Sequence, residues 1–209
     1  MATLYKLTDQ RMQTYRGFQW KLGRQETASG QGELCGPGWL HAYTHPLLAQ
    51  MLNPIHADIE EPRLFECDGE VGATDHGLKV GCTRLTPLRE MDLPEVTTEQ
   101  KVAFGILCSL EVYQEEEYVK WAKAWLSGED RSAKAAWAAD AAADAAADAA
   151  AARADAAAWA AARAARAAVR AADAAAWAWA GKAAAAGAAD AAAVSDLDFI
   201  ALAEKAMAY

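Results

Sequence analysis

From Ala133 to Ala193 the chain reads AKAAWAADAAADAAADAAAARADAAAWAAARAARAAVRAADAAAWAWAGKAAAAGAADAAA. Alanine is the best helix former because ordering it costs no side-chain entropy. The stretch predicts one very long α-helix, a rod of roughly 90 Å at ~1.5 Å per residue. Gly181 and Gly187 are its only internal weak points. Read outward from this tract, the fold class is α+β. A mixed globular domain spans 1–131, the alanine-rich helix spans 132–193, and a short terminal helix spans 194–209. Only the first part carries enough Leu, Val, Ile and aromatic residues to bury an ordinary core.

The non-alanine residues of the tract are patterned. At 100° per residue Lys134, Trp137, Asp144, Asp148, Asp155, Trp159, Arg163, Arg166, Arg170, Asp173 and Trp177 fall in one stripe, and Arg153, Trp179 and Lys182 fall outside it. Several recur every eleven residues, which is three turns, so the stripe runs nearly straight. The opposite face is a smooth methyl surface. Aspartates occupy the first half of the stripe and arginines the second. Two copies laid antiparallel about residue 157 would set Asp144 against Arg170, Asp148 against Arg166, Asp155 against Trp159 and Trp137 against Trp177. This predicts a homo-oligomer, coiled-coil-like, built on the tract. A simpler arrangement leaves the stripe wet and packs the methyl face, where alanine lets helix axes approach closely. The eleven-residue spacing also resembles the alanine-rich fish antifreeze helices, which implies ice binding as a further alternative. Those helices carry threonine at the repeat, and this tract has none.

The formal charge of -9 is unevenly placed. Residues 1–132 hold 13 basic and 20 acidic side chains, the tract six of each, and the tail one and three. An acidic globular part argues against nucleic acid and anionic membranes as partners. Charges recurring every few residues keep the tract out of a bilayer. The opening MATLYKLTDQ lacks a signal-peptide apolar run. Together with Cys35, Cys67, Cys82 and Cys108, this predicts free thiols in a reducing cytoplasm.

In the first part, Thr3–Leu7, Tyr15–Trp20, Arg63–Cys67 and Leu78–Leu88 read as strands, with Asp68-Gly69 and His76-Gly77 as turns. Residues 27–38 read as a loop. A short helix starts at Thr44-His45-Pro46 and should stop before Pro54. Thr97 with Gln100 has the capping-box pattern. It opens a helix through Val102, Ile106, Leu107, Leu110 and Tyr113. A second helix carries Tyr118, Trp121, Ala122 and Trp125 and ends at Gly128. Asp130 is the expected cap of the tract, and Ser195 or Asp196 that of the terminal helix.

Motifs for chemistry are sparse. Cys35, His41 and His45 form a C-x5-H-x3-H run whose spacing is not that of a zinc finger, so no metal or cofactor is expected. No phosphate loop, GxGxxG or serine triad is present, and no catalytic residue is assigned. Tyr15-Arg16-Gly17 with His41, and a glutamate from Glu115-Glu116-Glu117, resemble ADP-ribosyltransferases and give an enzyme alternative. The favoured site is a binding cleft in which Trp39, His41, Tyr43 and Arg16 stack and hydrogen-bond a nucleotide or similar planar ligand.

Tyr15-Arg16-Gly17-Phe18, Gly23, Cys35-Gly36-Pro37-Gly38-Trp39-Leu40-His41-Ala42 and Pro46 resemble a family of uncharacterised phage and prophage proteins. Lys79–Thr83 and Thr97–Gln100 resemble its longer members, which carry alanine-rich tails. The resemblance covers roughly residues 5–110. Trp39-Leu40 stands where the family often has Phe. It implies a viral origin and a site of action in the host cytoplasm, and supplies no catalytic residue. The reading is therefore a non-enzymatic, oligomeric phage protein that sequesters a host nucleotide signal or inhibits a host protein. A purely structural assembly protein is the alternative.

Overall fold

The structure is a computed structural model that describes residues 2–152, 155–174 and 180–209. It divides into two compact units, Met1–Glu95 and Val96–Tyr209, and confirms the α+β class.

The first unit holds strands β1 (Ala2–Thr8), β2 (Gln13–Thr14), β3 (Phe18–Gln19), β4 (Glu26–Thr27) and β5 (Leu40–Ala42). Helix α1 (Pro46–His56) and a long hairpin, β6 (Arg63–Asp75) with β7 (Lys79–Met91), complete it. All pairings are antiparallel, in the order β1-β6-β7, with β4 and β5 both along the free edge of β7. Just after β5, Tyr43 exchanges two 2.8 Å backbone hydrogen bonds with Tyr5 of β1. The sheet thus curls until the chain just after β5 bridges the edge of β1, which shortens the edge open to further pairing. Leu4, Leu40, Ala42, Phe65, Cys67, Val80, Cys82 and Leu85 fill the interior beneath Trp20.

Three local expectations change here. Asp68-Gly69 lies inside β6 and is not a turn. A Cβ on Gly69 would fall 2.7 Å from a Leu4 methyl and 2.9 Å from a Leu85 methyl, so glycine serves close packing there. Tyr15–Trp20 is not one strand: only Phe18–Gln19 within it is a strand, β3. Arg16 (φ 60°) and Gly17 (φ 73°) take left-handed conformations and turn the chain between β2 and β3. Helix α1 begins as expected, with His45 Nδ1 accepting from the Leu47 amide, but runs through Pro54 to His56. Proline costs that turn one amide donor. Asn53 secures the end, its carbonyl accepting from Ala57 and Asp58 and its side chain bonding Ile59.

In the second unit, α2 (Thr98–Val112) opens with the expected capping box, Thr97 and Gln100 each bonding the other's amide. Every residue from Val102 to Ser109 is buried, the mark of a helix enclosed on all sides. Helix α3 (Glu116–Ser127) ends at Gly128 in the left-handed conformation (φ 78°).

The single long helix is not what the tract forms. It is divided into α4 (Ala133–Ala152), α5 (Ala156–Asp173) and α6 (Ala180–Ala192), followed by α7 (Phe199–Ala206). Helix α4 lies along α5, α5 along α6, and α2 packs on α5, α6 and α7. The physical reason is burial. A lone alanine rod leaves most of its methyl groups in water, whereas folding back buries Ala136, Ala139, Ala143 and Ala147 of α4 and eight residues of α5, from Ala161 to Ala172. Glycines bring the backbones close. A Cβ on Gly105 would lie 3.0 Å from Ala184 Cα, and one on Gly187 3.2 Å from the Ala164 carbonyl.

Caps shift accordingly. Ser132, not Asp130, caps α4, its hydroxyl accepting from the Ala135 amide while Asp130 accepts from the Ser132 amide. Asp155, extended at ψ 91°, caps α5 by accepting from Ala158 at 3.0 Å. Asp198, not Ser195 or Asp196, caps α7.

The antiparallel pairing read from the stripe occurs within one chain, in a different register. Asp144 pairs with Arg166, Asp140 with Arg170 at 3.3 Å, and Trp137 Nε1 donates to Asp173 at 3.4 Å. Each of these pairs is symmetric about residue 155, where the chain turns. Asp140 and Asp173, which the register about residue 157 sets against alanines, have partners here. Asp148 is exposed, Trp159 carries Arg163 over its ring at 4.7 Å, and Trp177 lies outside the described residues.

Candidate functional site

Strand alternation decides what the first unit offers. In β5, Leu40 and Ala42 point into the barrel, so His41 points out, and Tyr43 follows on the same side. His56, in the last turn of α1, stacks on Tyr43 with ring centroids 5.9 Å apart and planes 20° from parallel. The tip of the β6–β7 hairpin brings Asp75 and Lys79 to the same neighbourhood, the two paired at 3.7 Å. Lys79 is only 8% exposed, yet its ammonium donates to Sγ of the exposed Cys35 at 3.1 Å.

The loop that carries Cys35 is held by its neighbours. Ala28 donates to the Thr83 carbonyl and Gly30 to the Gly38 carbonyl, both at 2.9 Å. Gly38 cannot carry a side chain, since a Cβ would fall 1.9 Å from the Gln31 carbonyl oxygen. Trp39 donates from Nε1 to the Gly32 carbonyl at 3.0 Å. Its ring lies over Gly72 and Gly81, where added Cβ atoms would sit 2.7 and 3.0 Å from it. The tryptophan therefore fastens the loop to the sheet, part of its ring packing on Gly72 and Gly81. Gly38 within Cys35–Ala42, and Gly72 and Gly81 in the hairpin, are explained by this packing.

Electrostatics follow from burial. His41 is held below its ordinary value chiefly by burial, with Lys6 and Lys79 adding to the effect and the Leu34 carbonyl opposing it. Its Nε2 donates to that carbonyl, which leaves Nδ1 as the acceptor in the neutral ring. His56 is pushed down to about 4, again by burial first and then by the Lys79 charge, with Asp75 opposing. Tyr43 is pushed up by burial. Both imidazoles are thus neutral at pH 7 beside a charged, nearly buried lysine.

A second cationic group lies inside the barrel. Lys6 alternates with Leu4 on β1 and points inward, 8% exposed. Its ammonium donates to the His41 carbonyl at 2.6 Å and stands 5.0 Å from the Trp20 ring centroid. Burial lowers it to about 8, against the opposing influence of Cys67 and Cys82. Burial pushes those thiols up to about 12 and about 11, so they stay protonated.

Of the four residues expected to form a ligand cleft, His41 and Tyr43 lie together. Trp39 braces the adjoining loop. Arg16 sits on the β2–β3 turn with its guanidinium 5.1 Å from the Tyr15 ring. Asp75 and the stacking of His56 on Tyr43 had no signal in the sequence, and Lys79 entered only within the resemblance of Lys79–Thr83. The C-x5-H-x3-H run gathers no metal set, because His41 Nε2 is committed to Leu34 and His45 Nδ1 to the Leu47 amide. Among the described residues, no group of three His, Cys, Asp or Glu side chains is placed to hold a metal ion. None of the described helices is long and apolar enough to cross a membrane. Glu115 is the N-cap residue of α3, and Glu116 and Glu117 form its first turn, in the second unit.

This face offers the Lys79 ammonium, paired with Asp75, and the half-buried His41 imidazole, while the Tyr43 ring is buried and stacked on His56. Cys35 Sγ bonds Lys79, not an imidazole, so thiol and base are not coupled as a nucleophile pair requires.

A family model described as a domain of unknown function (DUF7666) matches residues 2–99, which take in the whole barrel, this face and the start of α2. No curated protein matches the chain. No solved structure matches it either.

Proposed function

We propose that this chain is a non-enzymatic binding protein of viral origin whose N-terminal barrel captures a small anionic ligand of the nucleotide class. The observation that carries the reading is the Lys79 ammonium, nearly buried yet bonded to the thiol of the exposed residue Cys35, near the His41 and His56 imidazoles. A phosphate oxygen arriving at Cys35 would replace the thiol as the acceptor of a charge-assisted hydrogen bond, a gain of about 1.5–3 kcal/mol in such settings. The neutral imidazoles would flank the sugar or base. The resemblance of Cys35–Ala42 to phage proteins with alanine-rich tails supports the viral origin, and a nucleotide signal of the host is the ligand this implies.

Eight tryptophans dilute any fluorescence signal, so calorimetry is the better readout. Titration with a panel of linear and cyclic nucleotides is expected to find at least one binder. Lys79→Met should weaken it about tenfold or more. Silence across the panel, or a binder indifferent to Lys79→Met, overturns the reading.

A further inference from the structure

The alanine-rich tract contains a conflict between local preference and fold. Helix α4 ends at Ala152 and α5 begins at Ala156, with Asp155 as the N-cap of α5. Neither the last residue of α4 nor the cap of α5 is a glycine, proline or asparagine, the residues that ordinarily specify a turn. On both sides the sequence is the strongest of helix formers. What breaks the helix at this point is the burial gained by folding α4 onto α5, assisted by the Asp155 cap. Short hinges that join elements able to run straight invite exchange between identical chains.

The contacts are already arranged for that exchange. Asp140–Arg170, Asp144–Arg166 and Trp137–Asp173 are each symmetric about residue 155. Two chains straightened at Asp155 and laid antiparallel reproduce every one of these pairs, with one member from each chain. The buried alanine contacts are reproduced with them, because α2, α3 and α4 of one copy would meet α5, α6 and α7 of the other. No contact inside the bundle is lost, and each chain gains an unbroken helix.

We propose that the second partner of this chain is another copy of itself, bound by reciprocal exchange of α5–α7 across a straightened hinge at Asp155. The inference is independent of the ligand assigned to the barrel. The occupant is specified by charge. The acidic half of the stripe on α4 fits the basic half on α5, and the same pairing satisfies both copies at once.

The test uses the full chain in a Cys35→Ser background, since the other cysteines are buried. Asp144→Cys with Arg166→Cys places one thiol on each side of the hairpin for a short bis-maleimide cross-linker. Size separation with light scattering should show monomer and dimer in equilibrium. Cross-links should close within the chain in the monomer fraction and between chains in the dimer fraction. Asp155→Ala removes the cap and improves the continuous helix, each hinge contributing about tenfold, so the dimer association constant should rise about a hundredfold. Three glycines inserted before Asp155 relax the hinge and should leave only monomer, with helicity by circular dichroism unchanged. A dimer whose cross-links stay within each chain overturns the proposal. So does a protein that remains monomeric, with and without Asp155→Ala, at the highest concentration reached.

Discussion

In the N-terminal unit the core is made of Leu4, Trp20, Phe65 and Leu85, whereas α5 of the second unit buries seven alanines and Val169. The barrel gains its stability per residue, through large apolar surfaces held at ordinary strand spacing. The helical unit gains it per contact, by bringing backbones so close at Gly105 and Gly187 that a single methyl group would touch the neighbouring main chain. The two constructions should therefore fail in opposite directions, one when side chains shrink and the other when they grow.

Hydrogen exchange resolved by unit separates these effects. Phe65→Ala should destabilise the barrel by about 3–5 kcal/mol, as large-to-small core changes do. Ala165→Leu, at a fully buried site, should destabilise the helical unit by about 1–3 kcal/mol through overpacking. The reverse kind of change marks the contrast. Ala165→Gly should cost only about 1 kcal/mol, mostly helix propensity. If Ala165→Leu were silent, the close-packed description of the bundle would be wrong.

The next effect concerns Lys6, a lysine turned into the barrel. Its folded value of about 8 lies below the ordinary 10.5, so folding disfavours its charged form. Stability associated with the neutral amine is present above pH 10.5 and lost as pH falls through 8. At pH 7 the group is a net cost of about 3 kcal/mol, offset by about 1 kcal/mol from its bond to the His41 carbonyl. Lys6→Met should then stabilise the barrel by about 1–2 kcal/mol at pH 7. The advantage should shrink as pH rises from 8 to 10.5, a trend that denaturation curves at several pH values would reveal.

The smallest effect belongs to the stripe. Asp144 and Arg166 are partly exposed, at 45% and 31% of their side-chain areas. Such pairs contribute about 0.2–1 kcal/mol. Arg166→Asp should lower the midpoint of the helical unit slightly, and Asp144→Arg added to it should restore part of the loss. A full restoration is not expected, because Arg166 also faces Asp140 at 3.4 Å.

Much of this architecture was legible where a signal is local. The capping box at Thr97 and Gln100, the left-handed Gly128 and the start of α1 at His45-Pro46 are written in a few adjacent residues. Lys6 was legible in principle, since strand alternation sets it beside Leu4. What escaped the sequence depends on distant partners. Asp68-Gly69 reads as a turn until Leu4 and Leu85 are seen to need the space a side chain would fill. Trp39 reads as a stacking platform, and only the structure shows that its ring also packs on Gly72 and Gly81. The alanine tract is the extreme case. Its pattern sets the acidic half against the basic half between two copies, whereas the pairs seen lie within one chain in another register; intrinsic propensity favours an unbroken rod, and the burial of methyl faces against α2 and α6 explains the break. Lys79, Asp75 and His56 converge because a hairpin tip and a helix end meet, and no spacing in the sequence records that.

The claim on which the helical unit stands is that the tract folds back at Asp155. Spin labels at Asp140→Cys and Arg170→Cys, in the Cys35→Ser background and in the monomer fraction, read it directly by electron–electron resonance. Helices packed at ~8–10 Å between axes place the two labels within about 20 Å of each other. That is the distance the account requires. A distribution centred near 45 Å, the length of thirty residues of unbroken helix at ~1.5 Å each, would contradict it.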